Sequence, residues 1–364
     1  MTNFLPALTR FNEQKQYSPM TASLRDVARV ARVSVGTVSN VLNRPSIVSP
    51  ATLQRVRKVI DELDFVPNGF ARHLRAGFSR TIGLVVPDVS NPFFTEVARG
   101  VEDAASKREY AVFLCNSDES TSKEEKYLNA LIELQVRGVL ITPADSKAAR
   151  LNVLRDRGIA VTLLDRESKN RSQCSVSVDD VRGGEIAIEH LSSLGHETIA
   201  WVNGPESIPQ CADRGEGVSR AAKELGISVT TIRVPQMNAD QGSEALRAFL
   251  ALEKIPTAIF CANDLLALGV LRSLLNEGIK VPDDISLIGY DDISFAPLAA
   301  IPLSSISQPA YQLGVAAAEL LLAECEDAAM HSHQQIRFQP RLQVRQSTSE
   351  RRYLRPKKTD VSWP

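Results

Sequence analysis

Aspartates end many of the short apolar runs in this chain. The segments TIGLVVPD, YAVFLCNSD, GVLITPAD, IAVTLLDRE, AIFCAND and ISLIGYDD leave Asp88, Asp118, Asp145, Asp165, Asn263, Asp264, Asp291 and Asp292 at or near their ends. Ionised carboxylates only accept hydrogen bonds, so such a set suits a ligand that brings hydroxyl donors. Catalysis would need more: a nucleophile with its base, a metal cluster or a poised histidine. The sequence nominates none of these. His331 and His333 form an H-x-H pair in a polar stretch, but two ligands do not make a metal site, and the pattern predicts a solvated loop. Five cysteines without a C-x-x-C spacing indicate neither a disulfide framework nor a zinc site, and read as small buried hydrophobes. GEGVSR lacks the third glycine of a dinucleotide fingerprint, and no G-x-x-x-x-G-K-[ST] or G-x-S-x-G occurs. Binding without a cofactor or metal is therefore expected, rather than turnover.

The elements that carry these aspartates alternate. Apolar runs, with TIAWVNGP and TIRVPQ among them, are separated by helical patterns such as Phe94 to Lys107, Lys123 to Arg137 and Leu265 to Asn276. That alternation predicts an α/β body of parallel sheets covered by helices. Two groups of four strands, divided near SVSVDDVRGGEIAIEHLSSLGH, suggest two similar lobes. Ligands of open parallel sheets settle beyond the carboxyl ends of the strands, which is where the aspartates fall. A cleft between the lobes follows.

With 364 residues, 43% of them hydrophobic, the chain has material for two or three compact domains. Its charge is uneven: residues 21 to 80 hold ten Lys/Arg against four Asp/Glu, whereas the whole chain is −1. A basic head of that kind suits a polyanion. The first twenty residues lack a signal-peptide run, and no segment has the ~18 uncharged residues of a membrane span, so a cytoplasmic protein with no membrane partner is expected. Within the head, Ser23 is placed to cap a helix with Leu24, Val27, Ala28 and Ala31 on one face. Ser34 is placed to cap a second, which turns Thr37, Val38, Val41 and Leu42 to one side and Val35, Gly36, Ser39 and Asn40 elsewhere. Ser49 and Pro50 open a third, with Leu53, Val56, Val59, Ile60 and Leu63 as its stripe and Pro67 as its stop. Three such helices, all-α, fit a helix-turn-helix, whose second helix enters the DNA major groove.

The strings VSVGTVSNVLN, VSPATLQRV and LDFVPNGFARHLR resemble the DNA-binding head of the lactose and galactose repressor (LacI/GalR) family. SNPFF, SVDDVRGG, HLSSLGH, DRGEGV, CANDLLALG and LIGYDDISFAPL continue the likeness to about Val344. The resemblance implies a ligand-responsive regulator, most simply a repressor, that binds palindromic double-stranded operator DNA as a homodimer. It implies three units: a helix-turn-helix domain over 21–66, a hinge helix over 67–79, and an effector-binding body over 80–349 like that of periplasmic binding proteins. Within the body, an N-lobe takes 80–178 and 310–337, and a C-lobe takes 179–309 and 338–349.

Base reading would fall to Val35, Gly36 and Asn40, with phosphate contacts at Ser23, Thr37, Ser39, Ser49, Thr52 and Asn68. Val35 offers only apolar contact and Gly36 no side chain, so direct readout leans on Asn40. Leu74 matches the family's minor-groove wedge, with Arg72 and Arg75 suited to phosphate or a narrow groove. For the effector, likeness points to Phe93, Phe94, Asp165, Gln210, Arg214, Asn263 and Asp291, a set whose chemistry suits a polyol. A buried Arg214 would need a carboxylate partner, with Asp291 or Asp165 at hand. Met237 stands where many relatives carry an aromatic residue, leaving a sugar and a nucleobase both open. Two rivals remain: a sugar-binding transport component and a Rossmann-type enzyme acting on sugars or nucleotides.

Overall fold

The computed structural model describes residues 22–65, 80–145 and 149–351, and the chain divides into two compact units at Phe78 and Ser79. The first unit contains α1 (Leu24–Ala31), α2 (Val35–Asn43) and α3 (Pro50–Glu62). Ser23 and Asp26 close a reciprocal capping box at the start of α1, satisfying two backbone donors that the helix itself cannot. Ser34 caps α2 by accepting from the Thr37 N–H at 3.0 Å. The three helices bury Val27, Ala28, Ala31, Val38, Val41, Val56 and Val59, with Phe65 sealing the base. Two details differ from the sequence reading. Ser49 holds the cap position of α3, yet its hydroxyl donates to Thr52 Oγ1 at 2.9 Å and caps no backbone group. And α3 ends at Glu62, well ahead of Pro67, because Asp64 turns the backbone to φ 46°.

The second unit is two α/β lobes. The first lobe introduces β1 (Thr81–Val86), α4 (Pro92–Ser106), β2 (Ala111–Asn116), α5 (Thr121–Glu133), β3 (Gly138–Ile141), α6 (Ala149–Arg155), β4 (Ala160–Leu164) and β5 (Ser175–Val178). The second has α7 (Asp180–Ser193), β6 (Thr198–Asn203), α8 (Pro209–Leu225), β7 (Ser228–Arg233), α9 (Ala239–Leu250), β8 (Ala258–Cys261), α10 (Asp264–Asn276), β9 (Ser286–Asp291) and β10 (Ser304–Ser307). The chain then returns through α11 (Ala310–Glu326) to β11 (Gln335–Phe338) in the first sheet, and crosses once more to β12 (Arg341–Gln343) in the second. The sheet orders are β11-β5-β4-β3-β1-β2 and β12-β10-β9-β8-β6-β7, parallel throughout except for β12.

Each sheet thus has six strands, not four. The segment SVSV, read from the sequence as a divider, is β5, fully buried and paired with both β4 and β11. Central strands such as β3, β4, β8 and β9 are buried along their whole length, as expected where helices cover both faces.

Candidate functional site

Strand ends and helix starts meet in the cleft between the two lobes. From the first lobe, α4 begins with Phe93 and Phe94 behind the capping residue Asn91, and Asp165 follows β4. From the second, Gln210 and Arg214 lie in the first turns of α8, Asn263 caps α10, and Asp291 ends β9. All seven residues singled out for an effector line one cavity of about 580 Å3, counting its opening to solvent. Pro87, Glu119, Thr142, Arg166, Ile208 and Met237 share its wall.

Arg214 is the electrostatic centre. Its side chain is 5% exposed; Nε donates to Asp180 Oδ1 at 2.8 Å, one terminal nitrogen donates to the Ala262 carbonyl at 2.6 Å, and the guanidinium lies 3.7 Å above the Tyr290 ring. Burial opposes its charge, but Asp180, Tyr290 and Asp291 outweigh that and hold its pKa well above the usual value. The sequence reading expected Asp291 or Asp165 as the partner. Asp291 does pair with it, at 3.9 Å, but the closer partner is Asp180, which also accepts from the Tyr290 hydroxyl at 2.8 Å.

The motif SVDDVRGG explains this arrangement. Asp180 opens α7, and a side chain at Gly183 would collide with the Tyr290 hydroxyl. One at Gly184 would run into the Arg214 carbonyl, and one at Gly217 into that of Val181. The bare backbones of α7 and α8 therefore touch, which sets Asp180 against Arg214. The sequence signal was present in the adjacent acids and the glycine pair.

Asp165 and Asp291 take φ of 51° and 103°, a left-handed conformation that costs a non-glycine residue and often marks a functional site. Gln210 Nε2 donates to the backbone oxygen and to Oδ2 of Asp165, at 2.7 and 2.8 Å, while Asp165 Oδ1 and Gln210 Oε1 are buried without hydrogen-bond partners. Because both acceptors face one nitrogen, the orientation of the Gln210 amide is fixed. Burial, then repulsion from Asp180, push Asp165 up to about 7. Asp291 accepts from Gln308 at 2.7 Å and from Asn91 at 3.2 Å, and burial pushes it up to about 6 against the pull of Arg214. Asn91, Gln308 and Tyr290 are supporting residues to which sequence reasoning gave no role, although Asn91 stands in SNPFF and Tyr290 in LIGYDDISFAPL.

Other strand-end acids do structural work. Asp264 is buried and accepts from Ser305 Oγ at 2.7 Å and from the Ile293 N–H at 2.9 Å. Asp292 pairs with Arg345 at 2.6 Å, Asp145 with Arg150 at 2.6 Å, and Asp118 with Lys123. Asp88 accepts from Ser90. The expectation for the histidine pair needs correction: the His331 side chain is 5% exposed, and its Nε2 lies 3.1 Å from the Sγ of Cys174. The partner is 157 residues away in sequence, beyond the reach of local spacing. The five cysteines are all buried.

In the head, Val35, Gly36 and Asn40 are exposed on α2 and Ser39 is half-buried, whereas Val38 and Val41 face the core. Thr37 is half-buried with its hydroxyl 2.9 Å from that of Ser34, Ser23 is committed to its capping box, and Ser49 and Thr52 bond to each other. Asn68, Arg72, Leu74 and Arg75 lie outside the described residues.

A helix-turn-helix head joined to a two-lobed, periplasmic-binding-protein-like body with a polar cleft defines a ligand-responsive DNA-binding regulator. Residues 23–68 match the bacterial regulatory proteins of the lacI family, and residues 188–348 match the periplasmic binding protein-like domain. A transcriptional repressor of Photobacterium profundum, PurR, is 34% identical over 332 residues, 90% of this chain and 99% of its own length. A ribose-bound LacI family regulator from Enterococcus faecium superposes with a TM-score of 0.69 at 32% identity, covering 75% of this chain and all of that one. The lac repressor dimer bound to operator gives a TM-score of 0.78 at 26% identity, covering 90% of this chain and 99% of the other. The chain belongs to the LacI family: it is a transcriptional repressor that binds operator DNA and responds to a small molecule, not an enzyme. No helix among the described residues is long and apolar enough to cross a membrane.

Proposed function

We infer that the effector is a small polyol of monosaccharide size, held in the cleft by Asp165, Gln210, Arg214, Asn263 and Asp291 and covered by Phe93 and Phe94. The observation that carries this reading is the pair of buried acceptors without partners, Asp165 Oδ1 and Gln210 Oε1, on residues that line the cavity. Buried acceptors of this kind are costly until a donor reaches them, and adjacent sugar hydroxyls supply donors at that density. The ribose found in the similar Enterococcus faecium regulator agrees with it. A planar nucleobase is the second reading, favoured by the Phe93–Phe94 pair, whose rings meet edge to face at 5.0 Å.

In this reading the protein acts as a homodimer on a palindromic operator, in the cytoplasm where that DNA is. The exposed face of α2 reads bases, and the segment 67–79, carrying Leu74, supplies the minor-groove wedge. Three inter-lobe hydrogen bonds, two from Gln210 to Asp165 and one from Asn91 to Asp291, are the contacts that an effector between the lobes would rearrange. A ligand shifts the lobes only as far as its affinity differs between their arrangements, and DNA affinity changes only as far as those arrangements differ in the hinge order they permit.

The test is a thermal-shift screen of monosaccharides, sugar acids, nucleobases and nucleosides, followed by anisotropy of an in-vitro-selected duplex with each hit. A monosaccharide that raises the melting temperature and changes duplex affinity at least tenfold is expected. A response confined to nucleobases would replace the polyol reading.

A further inference from the structure

Far from the carboxyl ends of the strands, four metal-binding side chains converge. Cys174, just ahead of β5, is fully buried. Its Sγ lies 3.1 Å from His331 Nε2 and 3.6 Å from His333 Nδ1. Glu324, in the last turn of α11, brings Oε2 to 4.0 Å from His331 Nε2 and 3.9 Å from His333 Nδ1. One ligand atom from each residue lies within 4.8 Å of all the others. The Oε2 atom is buried and has no hydrogen-bond partner. The Gln334 N–H donates to the sulfur at 3.4 Å, the outer-shell contact that steadies a thiolate.

We propose that Cys174, Glu324, His331 and His333 form a structural site for a divalent transition metal of the zinc type. Zn–S bonds near 2.3 Å and Zn–N or Zn–O bonds near 2.0–2.1 Å set ligand-to-ligand edges of roughly 3.3–3.6 Å in a tetrahedron. Four of the six separations, 3.1 to 4.0 Å, need shifts of a few tenths of an ångström to reach them, and the remaining two lie within 4.8 Å. Charge closes as well: one thiolate, one carboxylate and two neutral imidazoles neutralise a dication, with the thiol proton released to solvent. A soft sulfur and two imidazoles select zinc or its cobalt surrogate over calcium and magnesium. Four protein ligands complete the shell and leave no position for substrate, so the role is structural.

The placement says what is held. Ser175 of β5 pairs with Gln335 of β11, so the ligands sit at the amino ends of two adjacent strands, each four residues long, at the edge of the first sheet. β11 is the edge strand from which the chain makes its last crossing to the other lobe. Bound metal fastens that strand to the end of α11.

The experiment uses the untagged full-length chain, stripped with chelator, dialysed and titrated with Co2+ while absorbance is followed. One equivalent per chain is expected, with intense tetrahedral d–d bands and a thiolate-to-cobalt charge-transfer band. Zn2+ then displaces the cobalt and raises the melting temperature. Cys174→Ser removes the charge-transfer band and weakens metal binding by more than about 100-fold, beyond the usual cost of losing an outer-shell partner. His333→Ala, at a ligand whose side chain is 30% exposed and tolerant of truncation, weakens it similarly while unfolding stays cooperative. Weak octahedral bands without charge transfer, or wild-type affinity equal to that of His333→Ala, overturn the proposal.

Discussion

The cleft and the DNA-reading helix carry out recognition with opposite materials. Arg214 and Asp180 are buried and bonded to each other, Asp165 and Asp291 are buried in the same cleft, and Tyr290, Gln210, Gln308 and Asn91 hold the three acids. On α2 the outward face is Val35, Gly36 and Asn40, exposed, uncharged and supported by no comparable network. A buried charge network binds fold and function together, since removing one member leaves the rest uncompensated. The reading face is separable from the fold it stands on. Substitutions in the cleft should therefore lower stability and ligand response together, and substitutions on the exposed face of α2 should change DNA binding without lowering stability.

The largest effect is expected from Arg214→Ala. It leaves Asp180 and Tyr290 facing each other in the interior without their cation, and breaking a buried pair in this way costs about 3–5 kcal/mol. Denaturant unfolding should show that loss, and effector response should vanish. DNA affinity measured well below the unfolding transition should stay close to wild type. A variant that keeps both stability and response would end the claim that the cleft is a single electrostatic unit.

Asp165 gives a pH signature. Its folded pKa, about 7, lies above the ordinary carboxylate value, so the folded protein without effector holds a proton that the unfolded chain has lost. The sign follows: the stabilisation is complete below about pH 4 and declines as pH rises through 7, with Asp291 contributing the same sign up to about 6. An effector hydroxyl that donates to Asp165 favours the ionised form. Effector binding then releases a proton, and affinity rises by up to about tenfold per pH unit below pH 7 before levelling off. Isothermal titration in buffers of different ionisation enthalpy measures the released proton. Asp165→Asn should flatten the profile, and a slope of opposite sign would make the protonated Asp165 the donor to the ligand.

Legibility followed the range of the interactions involved. Runs such as TIGLVV and SLIGYD show their strands because their buried β-type residues are contiguous, and the acids at their ends were visible as a cleft rim. Ser-rich or charged strands of three or four residues, SVSV, SSIS, QIRF and RLQ, escaped notice because tertiary pairing rather than local pattern makes them strands. The same limit applied to the site. Asp165, Arg214 and Asp291 came with their motifs, whereas Gln308 and Asn91 matter only because the fold sets them against Asp291. Cys174 and the histidine pair are far apart in sequence, and no spacing rule joins them.

On the head, Asn40→Ala should act only on DNA. The side chain is exposed on α2, so its loss should leave unfolding within about 0.5 kcal/mol of wild type. If Asn40 pairs with a base edge, the variant gives up about 1–3 kcal/mol of discrimination at one operator position and accepts other bases there. Competition with duplexes substituted at single positions measures this. Uniform weakening across all positions would reassign Asn40 to the phosphate backbone.

The smallest effect, and the sharpest test of separability, is Gly36→Ala. A glycine inside a helix costs up to about 1 kcal/mol relative to alanine. Here the added methyl would meet nothing closer than Ser34 Oγ at 3.6 Å, and no positive φ requires glycine. Within the head the substitution should therefore stabilise, raising its melting temperature slightly. Any loss of operator affinity must then come from the DNA side, where the backbone of α2 would be pressed against the duplex too closely for a methyl. Higher stability with lower affinity would show that Gly36 serves contact with DNA and not the fold, whereas a gain in both would place Gly36 away from the duplex.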